Sequence, residues 1–329
     1  MKKLFLMLAA AAAVASCSKD YTIVADQGEA IEFGSFVENS TRAAAATDPS
    51  YSTSGNGVAL ESFNVYGAVG GVNIFNGNLV TKSADYGAAW TLTGAKQYWI
   101  NGADYEFVAV VDGNKKVGEN VITKTTLFDT TGIPNFITYN SDGATDLLCK
   151  RVVRINNTDT SVVPFNFTHL LSKVKFSVTN TTNATATNYR IVLTEAKITG
   201  ALANSTYVVS TGLWNNDITP TTKDFTLENL TINSAAQQYH STELLLLPGV
   251  NVGVYVLADV QATANGTDWT TVSTMEKTFT NVLGAGNTLV ANQAYHFAVT
   301  LGIGAEIQFT ATTMPEWTDG DGADDTPLQ

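Results

Sequence analysis

The chain has 329 residues, with 30 acidic against 18 basic side chains and a net charge of −12. That balance disfavours nucleic acid and anionic lipid headgroups as partners, since both are bound through clustered Lys and Arg. Only 15% of the residues are charged and Thr, Asn, Ser and Gly abound, which suits an extracellular β-protein better than a cytosolic enzyme.

The chain opens MKKLFLMLAAAAAVASC, two lysines followed by an apolar run that ends in small residues. The run falls short of the ~20 residues a spanning helix needs, so it reads as a secretory signal peptide. Val14-Ala15-Ser16-Cys17 resemble a lipobox, in which the cysteine thiol takes a diacylglycerol thioether and becomes the new N-terminus after cleavage. The only other cysteine is Cys149. With Cys17 acylated no internal disulfide can form, and Cys149 in DLLCKRVV is expected to pack as a small hydrophobe.

Residues 18–58 are small and polar apart from AIEFGSFV, a short strand candidate. Arg42 follows it within ENSTRAAAA, and the next arginine is Arg151. From ALESFNVYGAV (59–69) onward, short β-branched and aromatic runs alternate with Gly/Asn/Asp clusters, the punctuation of an all-β protein. KQYWI leads through NGAD into YEFVAVV as a hairpin or short loop. SKVKFSVTN (172–180) alternates most cleanly, with Val174, Phe176 and Val178 on one face and Lys173, Lys175 and Ser177 expected towards water. VYVLADV, apolar on both faces, reads as a central strand, and EIQFTAT alternates again. No segment sustains a 3.6-residue period over three turns. The expected fold is therefore all-β, with two β-sandwiches joined near 160–168, and the tail TDGDGADDTPLQ reads as solvated.

Chemistry-bearing constellations are scarce. The three histidines, His169, His240 and His296, lack metal-ligand spacing. His169 reads as a structural histidine near the junction, and the other two as outward strand positions. DGDGADD lacks the central Gly and closing Glu of a calcium loop. Phosphate-binding loops and the GxSxG nucleophile motif are missing. The five tryptophans fit a carbohydrate platform or, as easily, core and corner positions. No catalytic residue, metal or cofactor is expected.

The order of features does point to a family. A lipobox at Cys17, AIEFGSFV, STRA at 40–43, PFNFTHLLSKVKFSV, ELLLLPG, LVANQAYHFAVTLG and IQFTATTMPEW follow one another along the whole chain. This order resembles the fimbrillin family, the pilins and accessory subunits of type V pili in Bacteroidales. The most specific pieces are the Phe-x-His-Leu-Leu-Ser-Lys-Val-x-Phe element at 167–176 and the closing segment with Trp317.

The resemblance implies a lipidated precursor carried to the outer membrane through Cys17. An arginine-specific or trypsin-like protease would then cut after Arg42 and leave Ala43 as the mature N-terminus. The implied division is a signal peptide (1–16), a lipidated pro-segment with a removable strand (17–42), and two tandem transthyretin-like β-sandwiches (43–165 and 166–329). Cutting would remove the first strand of the N-terminal sandwich, and a strand from another pilus subunit, of the same or a different kind, would fill the vacancy. The donor is expected within 303–329, although apolar alternation is weak after Trp317. The implied product is a non-enzymatic structural and adhesive subunit at the cell surface, with host or bacterial surface ligands as candidate targets.

Physical chemistry supports such a design. Ile31, Phe33, Phe36 and Val37 are the apolar payload of the pro-strand. At ~1.5–3 kcal/mol per buried side chain they would contribute roughly 6–12 kcal/mol as an upper estimate, comparable with a domain's ~5–15 kcal/mol net stability. Two other readings fit the same composition: a surface lipoprotein or anchor subunit that keeps its lipid and binds glycans or other host ligands, and a secreted hydrolase on a β-sandwich.

Overall fold

A computed structural model describes residues 28–37, 60, 62–82, 90–112, 127–182, 188–215, 221–227 and 238–314. Cys17, Arg42, Ala43 and the tail from 315 lie outside the described residues. Among the described residues every regular element is a strand. The first nine are β1 (Phe33–Val37), β2 (Ser62–Val69), β3 (Val72–Lys82), β4 (Trp90–Leu92), β5 (Ala103–Asp112), β6 (Leu127–Phe128), β7 (Pro134–Asn140), β8 (Leu147–Asn157) and β9 (Val163–Phe167). Then come β10 (Ser172–Asn180), β11 (Tyr189–Leu202), β12 (Asn204–Val208), β13 (Leu213–Asn215) and β14 (Thr222–Thr226). The last are β15 (Gln238–Leu246), β16 (Gly253–Thr263), β17 (Trp269–Phe279), β18 (Ala294–Leu301) and β19 (Gln308–Met314).

Two four-stranded sheets, β15-β10-β18-β19 and β14-β11-β16-β17, make the carboxy-terminal sandwich. Val174, Phe176 and Val178 of β10 meet Val254, Val256 and Ala258 of β16 in its core, as the period-2 patterns of both strands require. The outer face of β10 is a correction to the alternation argument. Lys173 and Ser177 are buried, at 2% and 1% exposed, and do not face water. The reason is position: β10 is central, flanked by β15 and β18, and its polar residues find partners there. The Lys173 ammonium lies 3.1 Å from the Glu243 carboxylate, and the Ser177 hydroxyl 2.6 Å from His296 Nε2. VYVLADV is central in its ladder, between β11 and β17, yet only one of its faces is fully buried. Tyr255, on the outer face, carries the Lys197 ammonium 5.3 Å from its ring centre.

His296 illustrates how this sheet responds to pH. Burial first, and then the facing Lys175 ammonium, hold its pKa below the ordinary 6.5. Ser177 and Thr312 are its other cross-strand neighbours. A depressed histidine pKa means that the unfolded chain takes up the proton first. Stability is therefore full above pH 6.5 and falls as pH drops from there through the folded-state pKa. Thermal melts between pH 5 and 8 should show this slope, and His296→Gln should flatten it.

The amino-terminal half is built on the five-stranded sheet β4-β3-β2-β5-β8. Both of its faces are covered. Phe63, Val65, Phe107 and Leu148 look towards β9, while Tyr66, Val108, Val110 and Cys149 look towards β7 and β12. Cys149 packs there as a small hydrophobe, and burial pushes its thiol up to about 12 against the opposite pull of Lys150. The expected division at 165/166 falls inside β9, and β12 from beyond it pairs with β7 and carries β13 on its other edge, so the two halves share a sheet. Trp214 Nε1 donates to the Leu170 carbonyl at 2.8 Å beside this junction. His169 also sits here, 2% exposed, with Nδ1 2.6 Å from the buried Asp146 carboxylate.

Candidate functional site

Residues 28–37 are extended and inserted in the amino-terminal core. Their first part pairs with KQYWI, so that run does not make the hairpin partner of YEFVAVV. Trp99 N–H donates to the Glu29 carbonyl at 3.1 Å and Ile31 N–H to the Gln97 carbonyl at 2.8 Å. The segment then crosses to β9: Val163 N–H donates to the Glu32 carbonyl at 2.8 Å, and β1 runs parallel to β9 from Phe33↔Val163 to Val37↔Phe167. Period-2 geometry turns Ile31 and Phe33 to one side, where they are 3% and 4% exposed. The backbones of Phe36 and Val37 are paired, and their side chains lie outside the described ones.

Phe33 sits in an aromatic cage. Its ring centre is 5.3 Å from Phe75 and 5.6 Å from Phe107, both edge-on, and 5.7 Å from Phe165, stacked. Such pairs add ~0.5–1.5 kcal/mol each to simple burial. Gly67 of β2 lets the cage close: a Cβ there would stand 2.8 Å from the rings of both Phe75 and Phe107. With Ile31 also buried, the two side chains contribute about 3–6 kcal/mol as an upper estimate.

The cage rests on β9, whose ladder partner among the described residues is β1. Val163, Phe165 and Phe167 of β9 are fully buried and belong to the same core cluster as Phe63, Phe75 and Phe107 of the five-stranded sheet. The approach to β9 is held by Arg154, which donates to the carbonyls of Asp159, Ser161 and Val162 at 2.9–3.2 Å. The same guanidinium lies over the Trp99 ring at 5.0 Å, joining both walls of the groove. Taking out residues 28–37 would bare the aromatic side chains around Phe33 and a row of unpaired amides and carbonyls on β9 and on 97–99. Unpaired backbone groups beside an apolar slot are in general a template on which a further strand can pair.

Nothing in this site is arranged for chemistry. Among the described residues no three His, Cys, Asp or Glu side chains gather as metal ligands. The sequence located Ile31 and Phe33 but not their cage. Phe75, Phe107, Phe165, Trp99 and Arg154 come from distant segments, and the signal that could have marked them was aromatic enrichment in NIF, YEF and PFNF.

Comparison with known proteins now adds the family. A family model described as fimbrillin-like matches residues 41–317, beginning one residue before Arg42. A candidate cell adhesion protein of Bacteroides uniformis superposes with a TM-score of 0.53 at 17% identity, covering 88% of this chain and 98% of that one. A fimbrial protein of Bacteroides vulgatus gives 0.53 at 16% identity, over 87% and 99% of the two chains. A candidate cell adhesion protein of Bacteroides ovatus gives 0.53 at 14% identity, over 88% and 98%. Identities this low speak to the fold alone. No curated protein matches the sequence.

Proposed function

The chain belongs to the fimbrillin-like family, and from that premise we propose that it is a non-enzymatic pilus or adhesion subunit of the cell surface that polymerises by strand exchange. It is made as a precursor lipidated at Cys17 and held at the outer membrane. An arginine-specific protease cuts after Arg42, which frees the unit from its lipid and from covalent attachment to the pro-strand. A strand of a neighbouring subunit then replaces β1 in the groove.

One observation carries this reading: residues 28–37, upstream of Arg42, reach into the amino-terminal core, with Ile31 and Phe33 buried in it and β9 as their ladder. A cut after Arg42 makes that part of the core separable. The cut is also selective. The chain has four arginines, and Arg151, Arg154 and Arg190 all sit within strands. Arg151 pairs with Glu106 at 2.6 Å, and Arg190 donates to Gln261 at 2.8 Å with its guanidinium over Trp269. Proteases reach extended, exposed segments, and small polar residues surround Arg42 alone of the four.

Mass spectrometry of the protein taken from the cell surface tests the proposal. Ala43 at the N-terminus is the expected result. A diacylated Cys17 at the N-terminus of the surface form would refute it and favour a retained surface lipoprotein.

A further inference from the structure

The groove around residues 28–37 holds a hydrogen-bond donor that those residues do not use. Trp99 is 8% exposed and belongs to the same core cluster as Ile31 and Phe33. Its ring stands edge-on to Tyr105, 4.8 Å between centres, with the Arg154 guanidinium 5.0 Å from its own centre. The indole N–H is the only polar atom of the side chain, and here it is buried with no acceptor among the described residues. A buried tryptophan normally finds one, because an unpaired donor away from water is unfavourable. Trp214 shows the usual outcome, donating to the Leu170 carbonyl at 2.8 Å. Asn166 Oδ1 of β9 is likewise buried and unpaired, but period 2 sets it on the face opposite Phe165 and Phe167. Trp99 is the orphan that lies with the pro-strand.

The register says where an acceptor belongs. Ala30 is bridged antiparallel to Tyr98, so Glu29 stands directly opposite Trp99. Opposed residues of an antiparallel pair share a face, with Cβ atoms roughly 4.5–5.5 Å apart. Glu29 is exposed, and its carboxylate does not reach the indole. Building on the strand-exchange reading, we infer that Trp99 is a specificity-determining residue of the groove, its N–H kept for an incoming strand with a short side-chain acceptor (Asp, Asn, Ser or Thr) in the place of Glu29. The pro-strand matches the apolar part of the groove and leaves this polar atom unmatched. A replacement that matches both binds more tightly than the strand it displaces, and such a difference biases the exchange towards the replacement.

Trp99→Phe keeps an aromatic ring and removes the donor. Full-length wild-type and W99F chains are cut with an arginine-specific protease, and two rates are timed in the same urea solution. One is release of the pro-segment from the cut monomer, the other release of subunits from the polymer. The smaller ring loosens both states, so the difference between the two effects is what counts. W99F is expected to speed subunit release about tenfold more than pro-segment release, the worth of one hydrogen bond. Glu29→Asn is the converse change, giving the pro-strand the acceptor. It should slow pro-segment release about tenfold relative to E29A, and should do so in the wild-type but not the W99F background. Equal acceleration of the two releases by W99F overturns the inference and leaves strand exchange standing. If W99F does not fold, E29N against E29A decides: slower release supports the inference and equal release overturns it. A fully cut wild-type chain that never polymerises refutes the strand-exchange reading itself, and this inference with it.

Discussion

Arg42→Ala is expected to abolish assembly while leaving the fold alone. The variant should stay whole when treated with the arginine-specific protease, remain with its lipid, and run as a monomer on size exclusion. Its melting behaviour should match the wild-type precursor within about 0.5 kcal/mol, the usual range for surface substitutions. The size of the assembly effect follows from the geometry of the groove. As long as residues 28–37 are covalently joined to the unit, Ile31 and Phe33 are present at an effective concentration that no second molecule in solution matches. Cutting turns that tether into a bimolecular association. Fibres formed by Arg42→Ala at the wild-type rate would show that the cut is not the trigger.

Phe33→Ala should produce the second large effect, and one that vanishes with processing. In the precursor it empties the cage of Phe75, Phe107 and Phe165, at a cost of about 3–5 kcal/mol, typical of buried Phe→Ala changes. After the cut the mutated residue belongs to the discarded piece, so the variant and wild-type units are the same molecule. Differential scanning of the precursors should therefore separate the two proteins, and scanning of the polymers should not. Assembly should also start sooner, because the weakened strand leaves more readily. A polymer that keeps the destabilisation would mean that Phe33 is a permanent core residue.

The all-β class was legible because alternation and turn residues are local signals. Val174, Phe176 and Val178 face the core for that reason, and Ile31 and Phe33 were recognisable as an apolar payload. What surrounds those residues was not legible. The burial of Lys173 depends on β10 lying between two other strands, which its own alternation does not report. The cage around Phe33 is assembled from β3, β5 and β9, far apart in sequence. KQYWI followed by NGAD was readable as a hairpin arm or as a short loop, and the sequence did not show that its backbone partners are Glu29 and Ile31. The return of β12 to β7 was hidden too, since pairing across the halves leaves no trace in the periodicity of either strand. The family resemblance indicated where a cut and a replacement would fall. The coordinates add what the sequence did not show, the aromatic surroundings of Phe33 and its strand's pairing with β9.

The account turns on residues 28–37 being a temporary occupant of the amino-terminal core. The most direct measurement is native mass spectrometry of the wild-type chain through a time course after the arginine-specific cut. The pro-segment is predicted to remain bound to each cut monomer, to appear free in solution as polymer grows, and to be missing from the polymer. Polymer that retains one pro-segment per subunit would contradict the account.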